Sequence, residues 1–475
     1  MAGVTVLSEL PPASLFTFPP DGAHMAIPPP QPGSIAAAPP FEIPDHIFSA
    51  ALDPKVPITI AATYAVTVSL LNKYNRSTNR KPWAISKTKP FFAFVVLHNV
   101  FLAVYSAWTF WGMLGGMRRS VVSPFGPNGL AATADSFCQL NGNGGFGSAT
   151  VYNETVGFWQ SLTGQSALGF DGRPSRTASG RIWNEGLAFY GWIFYLSKFY
   201  EVLDTFIILA KGKLSSTLQT YHHAGAMMCM WAGIRYMSAP IWMFVLVNSF
   251  IHAMMYTYYT ITAFNIRVPM AIKRTLTTLQ ITQFLVGASY AMLHSFVSYT
   301  VPVTVYTSKK AAEAAAEAAT SSTAVEATAT AAAGAFETLK NMVFGATAKV
   351  AEEAASASVA AAAPPQPGFI AETVYVTQPC ITTSGETFAI WLNVFYLAPL
   401  TYLFVMFFIR SYLRRSSAES AKGKGKARRE SNVTLAEKAG WDAARDVNRE
   451  IYNGSAEYAV EGSPRRANGK AKARA

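Results

Sequence analysis

The chain is 475 residues long, 51% hydrophobic and only 14% charged, with a formal net charge of +12. Soluble proteins carry about a quarter charged residues, so this balance excludes an ordinary soluble enzyme and points to a membrane protein. Its 3 cysteines are too few for a disulfide-built secreted scaffold.

Residues 1–50 have neither a basic start nor a continuous apolar core, so they do not read as a signal peptide. The runs Pro11-Pro12 and Pro28-Pro29-Pro30 predict a disordered, extended lead-in. Stretches nearly free of charge follow at 56–72, 90–114, 186–210, 219–237, 240–264, 275–299 and 387–409. At ~1.5 Å per helical residue each can cover a hydrocarbon core ~30 Å thick. The expected fold is an all-α integral membrane protein with about seven transmembrane helices. Six of them form a bundle over 51–300, with a Gly-, Ser- and Asn-rich loop at 115–185 that holds the sequon Asn153-Glu154-Thr155. An Ala-rich, low-complexity insert takes up 301–386, the seventh helix 387–410, and a basic tail 411–475. Within the tail, 434–452 has the pattern of a short soluble helix.

Charge orients the helices. The 73–89 connection contains Lys73, Arg76, Arg80, Lys81, Lys87 and Lys89 and no acid, which marks it as cytosolic. Strict alternation places Lys211, Lys213, Arg267, Lys273, Arg274 and the tail on the same side. From Arg410 onward the tail has 16 Lys or Arg against 8 Asp or Glu, so it supplies most of the net charge. That basic run is a topology anchor beside anionic lipid rather than a nucleic-acid site. The N-terminus is therefore expected in the lumen and the C-terminus in the cytosol. Cys138 and Cys380 then share the lumen, where disulfides persist, and a bridge between them is the hypothesis.

Four consecutive spans carry the chemistry. Ionisable groups inside a membrane cost a few kcal/mol each, so they face the bundle interior. Lys198, Glu201, Asp204 and Thr205 share one helical stripe. On the next helix Gln219, His222 and His223 line one face. Asn248, His252, Met255, Tyr256 and Tyr259 follow at i, i+4, i+7, i+8 and i+11, and Thr277, Gln280 and Gln283 add two amides one turn apart. Each cluster also has a plainer reading: an interhelical charge clamp, satisfied core histidines, or an aromatic packing stripe. Together they predict a polar cavity enclosed by helices.

In this order and spacing the four strings resemble the ELO family of very-long-chain fatty-acid elongases, the membrane 3-ketoacyl-CoA synthases. Lys198, Glu201, Asp204 and Thr205 match its KxxExxDT box, and His222 and His223 match HxxHH. Asn248, His252, Met255, Tyr256, Tyr258 and Tyr259 match NxxxHxxMYxYY, and Thr277, Gln280 and Gln283 match TxxQxxQ. His98-Asn99 in the second span is a weaker echo. The likeness covers about 56–300 and 385–415. Gln219 departs from the family's first box histidine; an amide donates and accepts but carries no proton charge. That residue resembles the subgroup acting on polyunsaturated chains.

The resemblance implies a narrow acyl-binding cavity and decarboxylative condensation of acyl-CoA with malonyl-CoA, with no metal or other cofactor. It implies an acyl-imidazole on His222, with His252 assisting decarboxylation or proton transfer. His223, Asn248 and Gln219 would orient the imidazoles, and Lys198, Glu201 and Asp204 would set their electrostatics. Thr205, Met255, Tyr256, Tyr259, Gln280 and Gln283 would line the substrate path, while Lys211, Lys213, Lys273 and Arg274 would hold CoA phosphates. Residence in the endoplasmic reticulum, the reductases and dehydratase of an elongation cycle as partners, and a homodimer belong to the same expectation; nucleic acid does not. Two rivals stand beside it. A di-iron desaturase would need more histidines than the 7 present. A seven-helix receptor or transporter would leave the clustering of His, Gln and Tyr without a purpose.

Overall fold

The computed structural model describes residues 3–22, 25–161, 167–308 and 369–422. A helix lies at each of the seven predicted stretches. In chain order the α-helices of the described residues are α1 (Asp45–Ala51), α2 (Lys55–Ser77), α3 (Lys89–Ser120), α4 (Gly129–Cys138), α5 (Trp192–Tyr200), α6 (Val202–Ala210), α7 (Thr217–Arg235), α8 (Ile241–Ala263), α9 (Met270–His294) and α10 (Ser384–Lys422), of which α1 and α4 lie outside the seven stretches. Local signals set several boundaries. Thr88 caps α3 by accepting the Phe91 N–H, with Pro90 in the first turn, and Ser216 caps α7 by accepting the Gln219 N–H. The third predicted stretch is not one smooth helix. It begins as a π-helix, Trp183–Gly191, runs into α5, and is interrupted at Glu201 before α6.

By length and composition α3 and α8 are apolar enough to cross a membrane, and α1 with α2, bent by 49°, counts as a third candidate among the described residues. Helix α3 packs along α8, α2 along α7, and α10 against both α7 and α9. The largest buried cluster gathers Trp183, Trp192, Tyr195, Trp231 and Trp242.

The structure is mostly helical but not wholly so, and the extra strands come from segments expected to be irregular. Strands β1 (Val6–Ser8), β4 (Val297–Ser308) and β5 (Phe369–Pro379) form an antiparallel sheet in the order β1-β4-β5. Val6 lies opposite Tyr299, and β4 pairs with β5 from Ser298↔Pro379 to Ser308↔Phe369. The ends of the Ala-rich insert are thus the arms of a hairpin, and residues 309–368 lie outside the described ones. So do 423–475, including the helix expected at 434–452. A second small hairpin pairs β2 (Val151–Asn153) with β3 (Phe158–Gln160) and carries the sequon at its turn.

The lead-in is a correction too. Rather than disordered, its described residues pack onto the bundle, because aromatic and arginine side chains satisfy its free backbone carbonyls. Trp183 Nε1 donates to Ile27 O at 2.9 Å, Arg176 Nε to Pro29 O at 2.9 Å, and Trp192 Nε1 to Phe48 O at 3.3 Å. Phe48 is fully buried and stacks on Trp192, worth roughly 1.5–3 kcal/mol relative to leaving it in water. Loop 115–185 folds on the same end around a buried ion pair, Arg181 Nη2 to Asp135 Oδ2 at 2.7 Å. Tyr299 of β4 donates to the other Asp135 oxygen at 2.8 Å. One disulfide, Cys138–Cys380, joins the end of α4 to the residue after β5, with a Cα–Cα distance of 4.7 Å.

The bridge closes a sequence separation of 242 residues, and losing such a cross-link typically costs about 2–5 kcal/mol. Replacing both cysteines by alanine should therefore lower the thermal midpoint in detergent by several degrees. An unchanged midpoint, or peptide mapping that finds both thiols free in the native protein, would show that the link carries no load.

Candidate active site

Five of the helices converge on one polar seam. Lys198 at the end of α5 is buried and donates to Glu201 Oε1 at 2.7 Å and to Asn248 Oδ1 of α8 at 3.2 Å. Ser197 adds a second hydrogen bond to Glu201 Oε1 at 3.1 Å. Asn248 passes the chain on, its Nδ2 donating to Gln283 Oε1 of α9 at 3.2 Å. His252 Nδ1 stands 3.6 Å from Glu201 Oε1, inside ion-pair range but beyond a hydrogen bond.

Asp204 is the second node. It accepts from Tyr256 Oη at 2.6 Å and contacts His98 Nε2 at 2.8 Å. Thr205 beside it bonds Tyr64 of α2 at 2.8 Å and accepts from Gln219 Nε2 of α7 at 3.2 Å. The amide at the family's variant box position therefore reaches back to the preceding box. His223 is buried with its ring edge-on to Tyr64 at 6.1 Å, while His222 is half-buried.

Two chambers meet at His222. The larger, with about 920 Å³ of empty space, is lined by Glu201, Asp204, Gln219, His223, His252, Met255, Tyr256, Tyr259 and Gln280. It is walled by the start of α6, the first turns of α7 and the facing stretches of α8, α9 and α10. The smaller, about 560 Å³, continues the other way between Phe194, Lys198, Met230, Met243, Phe244, Val247 and Leu397. His222, Gln283 and Phe284 line both. The larger chamber holds the carboxylates and most of the histidines beside Leu218, Ile251 and Leu400, the smaller adds Asn248 and Asn393 to its apolar walls, and an imidazole stands between them.

Nearly every residue singled out in the sequence reaches this seam. Gln280 Nε2 donates to Met255 Sδ at 3.1 Å, which closes the polar chamber on the α9 side. Lys211 and Lys213 sit in the turn between α6 and α7. There Gly212, at φ 76°, brings its backbone against Arg80–Pro82, an approach that leaves no room for a Cβ. Asn75 pins the same turn, its Nδ2 donating to the carbonyls of Leu209 and Lys213 at 2.8 Å each. The side chains of Lys273, Arg274 and Thr277 lie outside the described ones. Sequence reasoning missed Tyr64, and it gave His98 only as an echo. It also missed Tyr396 of α10, whose hydroxyl lies 2.9 Å from His222 Nδ1. Their burial beside box residues is a tertiary fact with no local sequence signal.

A family model, ELO (GNS1/SUR4), matches residues 49–420, which holds all of the seam. The chain belongs to the ELO family. Curated relatives agree over shorter stretches. The human protein called very long chain fatty acid elongase 3 is 34% identical over 110 residues, 23% of this chain and 41% of that one. Fatty acid elongase sre1 of Dictyostelium discoideum is 37% identical over 118 residues, 25% and 41% of the two chains. Mouse very long chain fatty acid elongase 4 is 37% identical over 116 residues, 23% and 37%. The chain thus spans about two fifths of the length of these relatives. No solved structure matches it. This ELO chain is a mostly helical, membrane-embedded protein, and its family boxes converge on one cavity system.

The buried pair makes a direct energetic test. Removing one partner of such a pair strands the other charge and costs about 3–5 kcal/mol, whereas removing both costs far less. Lys198→Met should unfold at a clearly lower temperature than the double variant Lys198→Met/Glu201→Gln. Equal midpoints would mean that the two charges are not coupled in the folded protein.

Proposed function

We propose that this ELO chain is the condensing enzyme of a fatty-acid elongation system. It joins an acyl-CoA to malonyl-CoA with loss of carbon dioxide and gives a 3-ketoacyl-CoA two carbons longer. The observation that supports this most is the place of His222, between a chamber walled by Phe194, Met230, Met243, Val247 and Leu397, which suits an acyl chain, and a chamber edged by Glu201, Asp204, His223 and His252.

In this reading the acyl chain lies among Phe194, Met230, Met243 and Val247, with its thioester at His222. The imidazole takes the acyl group and releases CoA, which splits one difficult step into two. Malonyl-CoA then enters the polar chamber, where His252, held near Glu201, assists decarboxylation. The Lys198–Glu201–Asn248–Gln283 chain fixes the rotamers around both imidazoles, and Asp204 with His98 and Tyr256 holds the opposite wall. Lys211 and Lys213, with Lys273 and Arg274, take the CoA phosphates at the mouth. That mouth faces the cytosol if all seven helices span the membrane with the N-terminus in the lumen. The loop 115–185, the sheet and the disulfide are then luminal, and the endoplasmic reticulum is the site of residence. The reductases and dehydratase of the cycle are the natural consumers of the product, and a homodimer fits the same reading.

Purified full-length protein should convert acyl-CoA and malonyl-CoA to the 3-ketoacyl-CoA. Without malonyl-CoA, it should accumulate an acyl adduct on His222 that intact-mass and peptide analysis detect. His222→Ala should lose at least about 1,000-fold in rate; turnover near the wild-type level in that variant would remove the nucleophile assignment.

A pH effect follows at the mouth. Burial, reinforced by the neighbouring Lys211 charge, lowers the Lys213 ammonium from its ordinary range to about 8. Its charge is present below that pH and is lost as pH rises through it, so the KM for acyl-CoA should rise between pH 7.5 and 9. Lys213→Arg should flatten the rise, because a guanidinium stays charged. A KM that tracks pH identically in both proteins would exclude Lys213 from phosphate binding.

A further inference from the structure

The hydroxyl of Tyr396 makes two contacts with one residue. It lies 2.9 Å from His222 Nδ1 and also donates to the His222 backbone carbonyl at 2.9 Å. A neutral phenol has one proton, and a carbonyl oxygen can only accept. With that proton given to the carbonyl, the contact to Nδ1 is favourable only if the ring nitrogen is the donor. The proton count therefore puts the imidazole hydrogen on Nδ1 and leaves Nε2 with a bare lone pair. Among the described residues nothing hydrogen-bonds Nε2, and the ring lines both chambers.

We infer that Tyr396 is the positioning residue that locks His222 in its Nδ1–H tautomer and presents Nε2 as the attacking atom. The use made of that tautomer rests on the proposed condensation. The Nε2 lone pair attacks the thioester carbon, the C–S bond breaks, and CoA departs as its thiolate. Neutral imidazole thereby becomes an acyl-imidazolium that keeps its Nδ1 proton against the Tyr396 oxygen. Malonyl-CoA loses carbon dioxide, the resulting enolate attacks the acyl carbon, and the C–N bond breaks. His222 returns neutral, with Nδ1 still protonated. An acyl-imidazolium is a stronger acyl donor than a neutral acyl-imidazole, so holding that proton aids the second half-reaction as well as the first.

The fold spends specific features on placing this phenol. The Tyr396 ring lies flat against Gly225, one turn along α7 from His222, where any Cβ would collide with the ring carbons. Tyr221 flanks the ring at 5.5 Å between centroids and donates to the Tyr396 backbone carbonyl at 3.2 Å. Helices α7 and α10 are thus sealed directly beside the imidazole.

The test reads the tautomer itself. Full-length protein labelled with 15N-histidine is examined by NMR in detergent, and the His222 signals are assigned by their loss in His222→Gln. The expected wild-type state is Nδ1 protonated and Nε2 bare; a proton on Nε2 overturns the inference whatever the kinetics. Tyr396→Phe should give a mixture of tautomers and slow single-turnover acyl transfer about tenfold with KM nearly unchanged. Gly225→Ala, which displaces the ring but keeps the phenol, should act the same way. Cys229→Ala removes a different α7–α10 contact, that of the Cys229 thiol with the Leu392 carbonyl at 3.9 Å, and should keep the wild-type tautomer and rate. If Tyr396→Phe retains a pure Nδ1–H state, or if Cys229→Ala loses as much activity, Tyr396 is only a helix clamp and the inference fails. A wild-type protein with the expected tautomer but no acyl adduct would uphold the role of Tyr396 and sink the acyl-carrier reading instead.

Discussion

A charge removed from water has to be matched, and in this protein the match is made between helices. Lys198 and Glu201 neutralise one another at 2.7 Å with almost no exposure, and each then engages a different neighbour. Lysine reaches Asn248 on α8, and glutamate draws in His252. A buried ion pair contributes little net stability compared with an apolar pair, but it tolerates few alternative packings, because any slip strands a charge. Asp204 works the same way for α3 and α8 through His98 and Tyr256. Helices whose apolar surfaces would slide freely in lipid are thus held in one register by polar contacts.

That register puts the cavity where it is. Helices α5 to α9 bring their polar stripes together at one depth, and α10 closes the remaining side with Tyr396 against Gly225. At the opposite end the closure relies on different interactions: the Arg181–Asp135–Tyr299 cluster, the tryptophans that hold the lead-in carbonyls, and one covalent cross-link. The seam is built from hydrogen bonds and ion pairs between polar side chains of neighbouring helices, whereas the cap is built from contacts that resist opening.

Hydropathy made the helices legible, since each predicted stretch coincides with a helix to within a few residues at most boundaries. The helical spacing of Lys198, Glu201 and Asp204, and of Asn248, His252 and Tyr256, correctly forecast shared inward faces. What stayed hidden depended on distance along the chain. Tyr396 and His222 are 174 residues apart, and nothing near Tyr396 marks it off from other apolar-helix tyrosines. The order of the lead-in was equally hidden, because its hydrogen-bond donors are Trp183, Arg176 and Trp192, far downstream. The hairpin did leave a trace. Val301, Val303 and Val305 alternate with other residues in a β-rich run, but the apolar stretch ahead of it read as helix up to residue 299 and the run itself fell within the expected low-complexity insert.

The hairpin also separates two scales of change. Ser308 and Phe369 face one another across the sheet, so the chain leaves and re-enters the folded body at adjacent points. Ring closure at such a gate grows only logarithmically in cost with the length enclosed, at roughly 0.6 kcal/mol for each doubling. The length enclosed between these strands therefore bears little on the helices that carry the polar seam, because the register of β4 and β5 fixes both ends of it.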